Sequence, residues 1–228
     1  MYRERSAGVA GAVLWTSADP GGARSVRVLP DGCLDLIWSS AAGLLVAGPD
    51  RRAFVSVSAP GQRWVGLRFP PGVGPAVLGV PADELRDSRV PLAALWGDRA
   101  AADLVERAAD DPAALLPALA ARRLRAAGGP DRLGARIAAG AAAGVPVAAI
   151  AADLDLDPRA LHRRCRHLFG YGPKTLARIL RMRRALALAR TGTPLAEVAA
   201  VCGYADQAHL SRDVRDLAGV PPTALLAG

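Results

Sequence analysis

Leu161-His162-Arg163-Arg164-Cys165, followed four residues later by Gly170-Tyr171-Gly172-Pro173, recurs as Leu210-Ser211-Arg212-Asp213-Val214 with Gly219-Val220-Pro221-Pro222 at the same interval. Both read Leu-x-Arg-x-apolar-x4-Gly-x-x-Pro, 49 residues apart. Upstream, Pro146-Val147-Ala148-Ala149-Ile150-Ala151 matches Pro194-Leu195-Ala196-Glu197-Val198-Ala199 at an offset of 48. The one-residue change falls in the turn between them, where insertions are tolerated. Chance does not produce agreement of this extent, even in an Ala-rich chain, so residues 146–222 read as a duplicated unit.

Each copy has the pattern of a helix-turn-helix. A short helix begins after a Pro, over residues 147–154 and 195–202, and a tight turn follows. Gly203 supplies positive φ in the second turn, and small Ala199 lets the two helices approach closely. In the first copy Ala151 and Asp155 take those places, and Asp enters the left-handed region more easily than most residues. A second helix then starts. Asp157 is expected to cap the first, with Pro158 at N1, and Asp206 the other.

These second helices divide into faces. Leu161, Cys165 and Leu168 share one side, and Arg159, His162, Arg163 and Arg166 the other. On the second copy the outward set is Gln207, Ala208, Ser211 and Arg212. A helix with cations in its first two turns, packed on a short scaffold helix, suits a major groove. Between the copies, residues 174–190 contain no Pro or Gly and space Leu176, Ile179, Leu180 and Leu186 as one amphipathic helix. It is expected to be a rigid connector, with Lys174, Arg178, Arg181, Arg184 and Arg190 on its surface. Two heads on one face of B-DNA would enter successive major grooves, ~34 Å apart.

Composition agrees. The 228 residues carry a net charge of +8, with 28 Arg and a single Lys among the cations. Such an excess favours a polyanion, nucleic acid before membrane, although GC-rich coding alone can enrich Arg. The charge is unevenly placed. Residues 1–128 hold 15 Arg against 13 acids, whereas 129–228 hold 14 cations against 8 acids. No segment reaches the ~18 apolar residues of a membrane span, and the charged start predicts no secretory leader. Cys33, Cys165 and Cys202 fit neither a disulfide framework nor a zinc site. His167 and His209 with Cys165 lack metal spacing, so no metal and no cofactor are expected. Gly72-x-Gly74 lacks the third glycine of a dinucleotide loop. No Ser/His/acid or paired-carboxylate grouping has supporting context, and the protein is not expected to be an enzyme.

The first ~70 residues read as short strands punctuated by Pro and Gly, at residues 25–29, 33–38, 43–47, 53–58 and 64–69, suggesting a small antiparallel sheet or partial barrel. Helices follow at 82–86, 91–96, 98–109 and 111–126, the last two opened by an Asp able to cap the first turn. Gly128-Gly129-Pro130 is the strongest breaker. The expected fold is α+β: a small β-rich N-terminal domain with flanking helices over residues 1–128, then an all-α double helix-turn-helix domain over 129–228.

At this point residues 130–228 resemble the DNA-binding domain of AraC/XylS-type bacterial transcriptional regulators. Carrying the resemblance are Ile150-Ala151, Leu161-x-Arg163, Arg183-Arg184-Ala185-Leu186-x-Leu188-Ala189 and Glu197-Val198-Ala199-x3-Gly203-Tyr204-x5-Leu210-Ser211-Arg212-x6-Gly219-Val220-Pro221-Pro222. It implies base-reading positions at Arg159, His162 and Arg163 in the first unit, and at Gln207, Ala208 and Arg212 in the second. Arg166, Lys174, Arg178, Ser211 and Arg215 are assigned to phosphates. Three departures stand out. Cys165 and Val214 replace the usual Phe, and Asp213 puts an acid beside a DNA-facing Arg.

The N-terminal half, through Leu29-Pro30-Asp31-Gly32-Cys33-x-Asp35-Leu36-Ile37-Trp38, Ala47-Gly48-Pro49 and Gly66-Leu67-Arg68-Phe69, resembles an uncharacterised domain found ahead of such DNA-binding domains. The resemblance implies effector sensing or dimerisation. Asp31, Cys33, Asp35, Trp38 and Arg68 are a candidate effector pocket, although a strand-end cap or solvated turn is the favoured reading of Asp31, Asp35 and Arg68.

The expected function is a sequence-specific DNA-binding transcriptional regulator in a bacterial cytoplasm, associated with the nucleoid. Its expected partners are double-stranded promoter or operator DNA, a small-molecule effector, a second copy in a homodimer, and RNA polymerase if it activates. The alternative is a DNA alkylation-response protein using Cys33 as acceptor, which would want activating zinc-ligand cysteines that the chain lacks.

Overall fold

The structure, a computed structural model, describes residues 2–18 and 24–227. Its strands are β1 (Tyr2–Ser6), β2 (Val13–Ala18), β3 (Arg24–Val28), β4 (Leu34–Ser39), β5 (Gly43–Ala47), β6 (Phe54–Ser58), β7 (Arg63–Phe69) and β8 (Arg89–Pro91). Six form an antiparallel sheet in the order β1-β2-β7-β4-β5-β8, and β3 and β6 pair as a separate ribbon.

Alternation along the central strands sets the layers. Leu34, Leu36 and Trp38 of β4, Leu44 and Val46 of β5, and Leu67 and Phe69 of β7 are buried on one face. Burying such a side chain contributes ~1.5–3 kcal/mol. Against that face pack α1 (Gly74–Leu78), α3 (Asp98–Asp110) and α4 (Pro112–Ala126), through Val77, Leu78, Leu104, Leu116 and Leu119. Helix α2 (Ala93–Trp96) and a 3-10 turn at Ala82–Glu84 complete this layer.

The opposite face of the sheet carries Trp15, Asp35 and Arg68. Asp35 and Arg68 are direct partners in the β4–β7 register. A Cβ on Gly66 would sit 2.1 Å from the Trp15 ring. The glycine lets the indole lie on the strand and donate to Asp35 Oδ1 at 2.6 Å.

Several local readings need correction. The sequence sets no separate bounds for β1 and β2; in β1, Tyr2-Arg3-Glu4-Arg5-Ser6 has no apolar alternation and its residues are all exposed, and pairing with β2 makes it a strand. Residues 91–96, expected as one helix, divide. Arg89–Pro91 pairs with β5, and α2 starts only at Ala93. Pro91 is tolerated because β8 is an edge strand. Asp98 does not cap α3: Gly97, at φ 82, holds the cap position and no side chain accepts there. Asp111 does cap α4, accepting from Ala114 N at 3.0 Å.

Beyond Pro130 the described chain is helical: α5 (Arg132–Ala143), α6 (Val147–Asp153), α7 (Pro158–Phe169), α8 (Pro173–Arg190), α9 (Leu195–Val201), α10 (Gln207–Ala218) and α11 (Pro222–Leu226). They enclose a second apolar core running from Ile137 to Ala218, with Leu176, Ile179, Met182 and Leu186 of α8 at its centre. Among the described residues no helix is long and apolar enough to cross a membrane.

Candidate nucleic-acid interface

The two helix-turn-helix units are α6–α7 and α9–α10, and their turns form as the residue types require. Asp155 adopts φ 51 and Gly203 φ 75, the left-handed conformation that reverses the chain between helices. Asp157 accepts from Arg159 N at 2.7 Å and Ala160 N at 2.9 Å, capping α7. These two backbone bonds hold its carboxyl below the usual range. Asp206 caps α10 by accepting from His209 N at 2.6 Å. Both second helices end on a left-handed glycine, Gly170 and Gly219. The Gly-x-x-Pro of each repeat is therefore a stop followed by a new start, Pro173 opening α8 and Pro222 opening α11.

Packing follows the same repeat. Leu161, Cys165, Leu168 and Phe169 of α7 and Leu210, Val214, Leu217 and Ala218 of α10 are buried. Outward lie exposed Arg159, His162, Arg163 and Arg166 on the first helix. Gln207, Ala208 and Arg212 are exposed on the second, with Ser211 half-buried. Among the described residues, Arg159, Arg163, Lys174, Arg212 and Arg215 form no ion pair and are exposed.

Two of the expected phosphate contacts are already engaged. Arg178 pairs with both Asp213 and Asp216. Arg166 reaches Asp83 of the N-terminal 3-10 turn at 2.7 Å. Next to it, Arg86 donates to Gly170 O at 3.1 Å, so the C-terminal end of α7 is gripped by the N-terminal unit. Asp216 is held on its other side by Arg52 at 3.0 Å. The β3–β6 ribbon docks there too: Ala53 N donates to Leu217 O at 2.7 Å and Arg27 to Ala218 O at 3.0 Å.

Asp213 does not lie beside Arg212 on the outer face. It points inward and is 6% exposed. Arg178 and, at 3.3 Å, Arg181 pair with it, and the Tyr204 hydroxyl donates to it at 3.0 Å. The Arg181 guanidinium also lies over the Tyr204 ring, 4.1 Å from its centroid. The connector α8 and α10 are thus joined by a charge network around one buried carboxylate, which the repeat pattern alone did not reveal. The acid next to Arg212 therefore costs the outer face nothing.

The candidate effector residues are only partly brought together. Arg68 lies 3.7 Å from Asp31 and 3.6 Å from Asp35, and donates to Glu4 at 3.3 Å. Trp38 faces the other side of the sheet, within the core. The Asp35 carboxyl is pushed up to about 6, chiefly by burial, with Arg68 opposing. Burial, and then the charges of Asp31 and Asp35, push the Cys33 thiol well above its ordinary value. A thiol kept protonated is a poor nucleophile, which counts against alkyl acceptance there. Cys165 and Cys202 are buried core thiols.

Taken together, paired helix-turn-helix units on one connector define a DNA-binding fold of the double-headed type. Residues 150–228 match a family described as a helix-turn-helix domain, and residues 12–91 one described as a domain of unknown function (DUF6597). The first is the AraC-type domain. Residues 150–228 therefore form an AraC-type helix-turn-helix domain, with a DUF6597 domain ahead of it.

Among solved structures, an apo ToxT variant from Vibrio cholerae strain SCE256 is 12% identical over 98% of this chain and 99% of its own, with a TM-score of 0.51. A second structure of ToxT from Vibrio cholerae is 11% identical over 99% and 98%, also at 0.51. These two share the fold. A probable AraC family transcriptional regulator from Rhodopseudomonas palustris is 24% identical over 42% of this chain and 92% of its own, at 0.36. Comparison with curated proteins returns no match.

Proposed function

We propose that α7 and α10 read two successive major grooves of one operator, and that the N-terminal unit adjusts this binding in response to a small-molecule effector or by pairing protomers. The observation that carries the reading is the matched presentation of the two helices. Each is capped by an Asp, packed on α8, and shows exposed polar side chains outward, Arg159, His162 and Arg163 on α7 and Gln207 and Arg212 on α10.

Arg159, His162, Arg163, Gln207, Ala208 and Arg212 contact base edges, Arg to guanine and Gln to adenine. Lys174, Ser211 and Arg215 contact phosphates, joined by Arg166 when it leaves Asp83. Arg178 braces α8 against α10 instead. The units divide at Gly128-Gly129-Pro130, and the protein acts in a bacterial cytoplasm by binding rather than by catalysis.

Selection of bound DNA from a random pool tests this. Arg163→Ala and Arg212→Ala are each expected to cost ~1–3 kcal/mol of discrimination, at separate half-sites. Equal weakening on all sequences would make them phosphate contacts instead.

A second expectation concerns the grip on α7. Asp83→Asn frees Arg166 for a phosphate and should steepen the dependence of log K on log salt by about 0.9, the increment for one further contact. An unchanged slope would mean that Arg166 stays away from DNA.

A further inference from the structure

On the helical side of the N-terminal unit, across the sheet from Asp35 and Arg68, a cleft of about 560 Å³ opens between α1, α2, α3 and α4. Its floor is apolar: Leu78 and Leu104 are almost fully buried, and Trp96 is half-buried. Its walls carry three guanidiniums, Arg107, Arg122 and Arg123, against one carboxylate, Asp103. None of the three forms an ion pair among the described residues.

Arg123 is held in place without being neutralised. Its Nε donates to Val77 O at 2.9 Å, and its guanidinium lies over the Trp96 ring, 4.5 Å from the centroid. Trp96 Nε1 in turn donates to Leu78 O at 2.8 Å. A Cβ on Gly79 would sit 2.8 Å from Arg123, and Gly79 itself adopts φ 80, so only glycine closes α1 and leaves the guanidinium there. A fixed aromatic shelf beside two exposed, unpaired Arg side chains is an arrangement for an anion attached to an apolar body.

We propose that this cleft binds a small organic anion. An oxyanion group is gripped by Arg107 and Arg122, with the field of Arg123 behind them, and the apolar body rests on Trp96 and Leu104. The proposal rests on the effector-sensing reading above and gives it a location. The path to DNA is short. Leu78 and Gly79 line the cleft, and four residues beyond Gly79 the 3-10 turn presents Asp83 to Arg166 of α7. A ligand that presses on the end of α1 acts on the turn that grips the first reading head.

The test uses the full chain and a matched pair of probes, 8-anilinonaphthalene-1-sulfonate and its uncharged counterpart N-phenyl-1-naphthylamine. The sulfonate is expected to bind one-to-one and at least tenfold more tightly than the amine. The double variant Arg107→Gln/Arg122→Gln should abolish that preference without changing the DNA affinity of the ligand-free protein. Equal affinity for the two probes, or undiminished sulfonate binding by the variant, overturns the site. DNA affinity measured with the sulfonate bound separates the two readings. A shift in the wild type that is absent in the variant is expected. Cleft binding with no shift retains the site and overturns its coupling to DNA.

Discussion

Asp213→Ala is expected to lower the stability of the helical unit by about 3 kcal/mol, the lower end of the range for breaking a buried ion pair. The carboxylate is buried, whereas Arg178 and Arg181 keep 37% and 28% of their side chains exposed, so water relieves part of the loss. The Tyr204 hydroxyl loses its acceptor at the same time. Burial, the largest cause that holds that phenol above its ordinary value, persists in the variant, so it remains a donor in search of a partner. Asp213→Asn should recover the Tyr204 bond but not the charge balance and fall between the two. Urea unfolding decides, with Arg212→Ala as the surface control at ~0.5 kcal/mol or less. A cost under about 1 kcal/mol for Asp213→Ala, within the range of a single ordinary hydrogen bond, would show that the network does not join α8 to α10.

Gly48→Ala is expected to be at least as damaging, by ~3 kcal/mol or more, because overpacking against main chain cannot be relieved by turning a side chain. A Cβ there would lie 1.6 Å from the Leu85 carbonyl oxygen. The turn that holds Leu85 would have to move, and with it Asp83, which holds Arg166. The variant should therefore lose stability in the N-terminal unit and change its DNA affinity together. Gly61→Ala is the comparison. Its backbone is left-handed, at φ 73, yet nothing lies within 4 Å of the added carbon. Its cost should stay near ~1–2 kcal/mol, the ordinary expense of that conformation. Similar losses for the two would mean that the Leu85 contact is not what excludes a side chain from residue 48.

What could be read from the residues follows how local the cause is. The duplicated helix-turn-helix was legible because its parts are sequential: Asp157 and Asp206 before their helices, Asp155 and Gly203 in the turns, and a glycine stop after each reading helix. Residues 33–38 announced β4 for the same reason, as a short run set off by the Pro30-Asp31-Gly32 turn. Strand β1 was not individually legible, since nothing in Tyr2-Arg3-Glu4-Arg5-Ser6 but its pairing with β2 makes it extended. Asp213 was misplaced because sequence spacing put it next to Arg212. The helical register turns it inward, to partners 32 and 35 residues away on α8. Arg166 was read correctly as projecting from α7, but its carboxylate partner lies 83 residues earlier, beyond any local pattern. The Arg-lined cleft needs four helices brought together, and no run of sequence contains it.

The central claim is that two heads act on one DNA molecule at fixed spacing. Hydroxyl-radical footprinting on DNA selected by the protein tests it most directly. Two protected patches on one face of the duplex are predicted, their centres one helical turn apart at ~10–10.5 base pairs. Arg163→Ala should weaken one patch and Arg212→Ala the other. A single short footprint, lost as a whole with either substitution, would contradict the account.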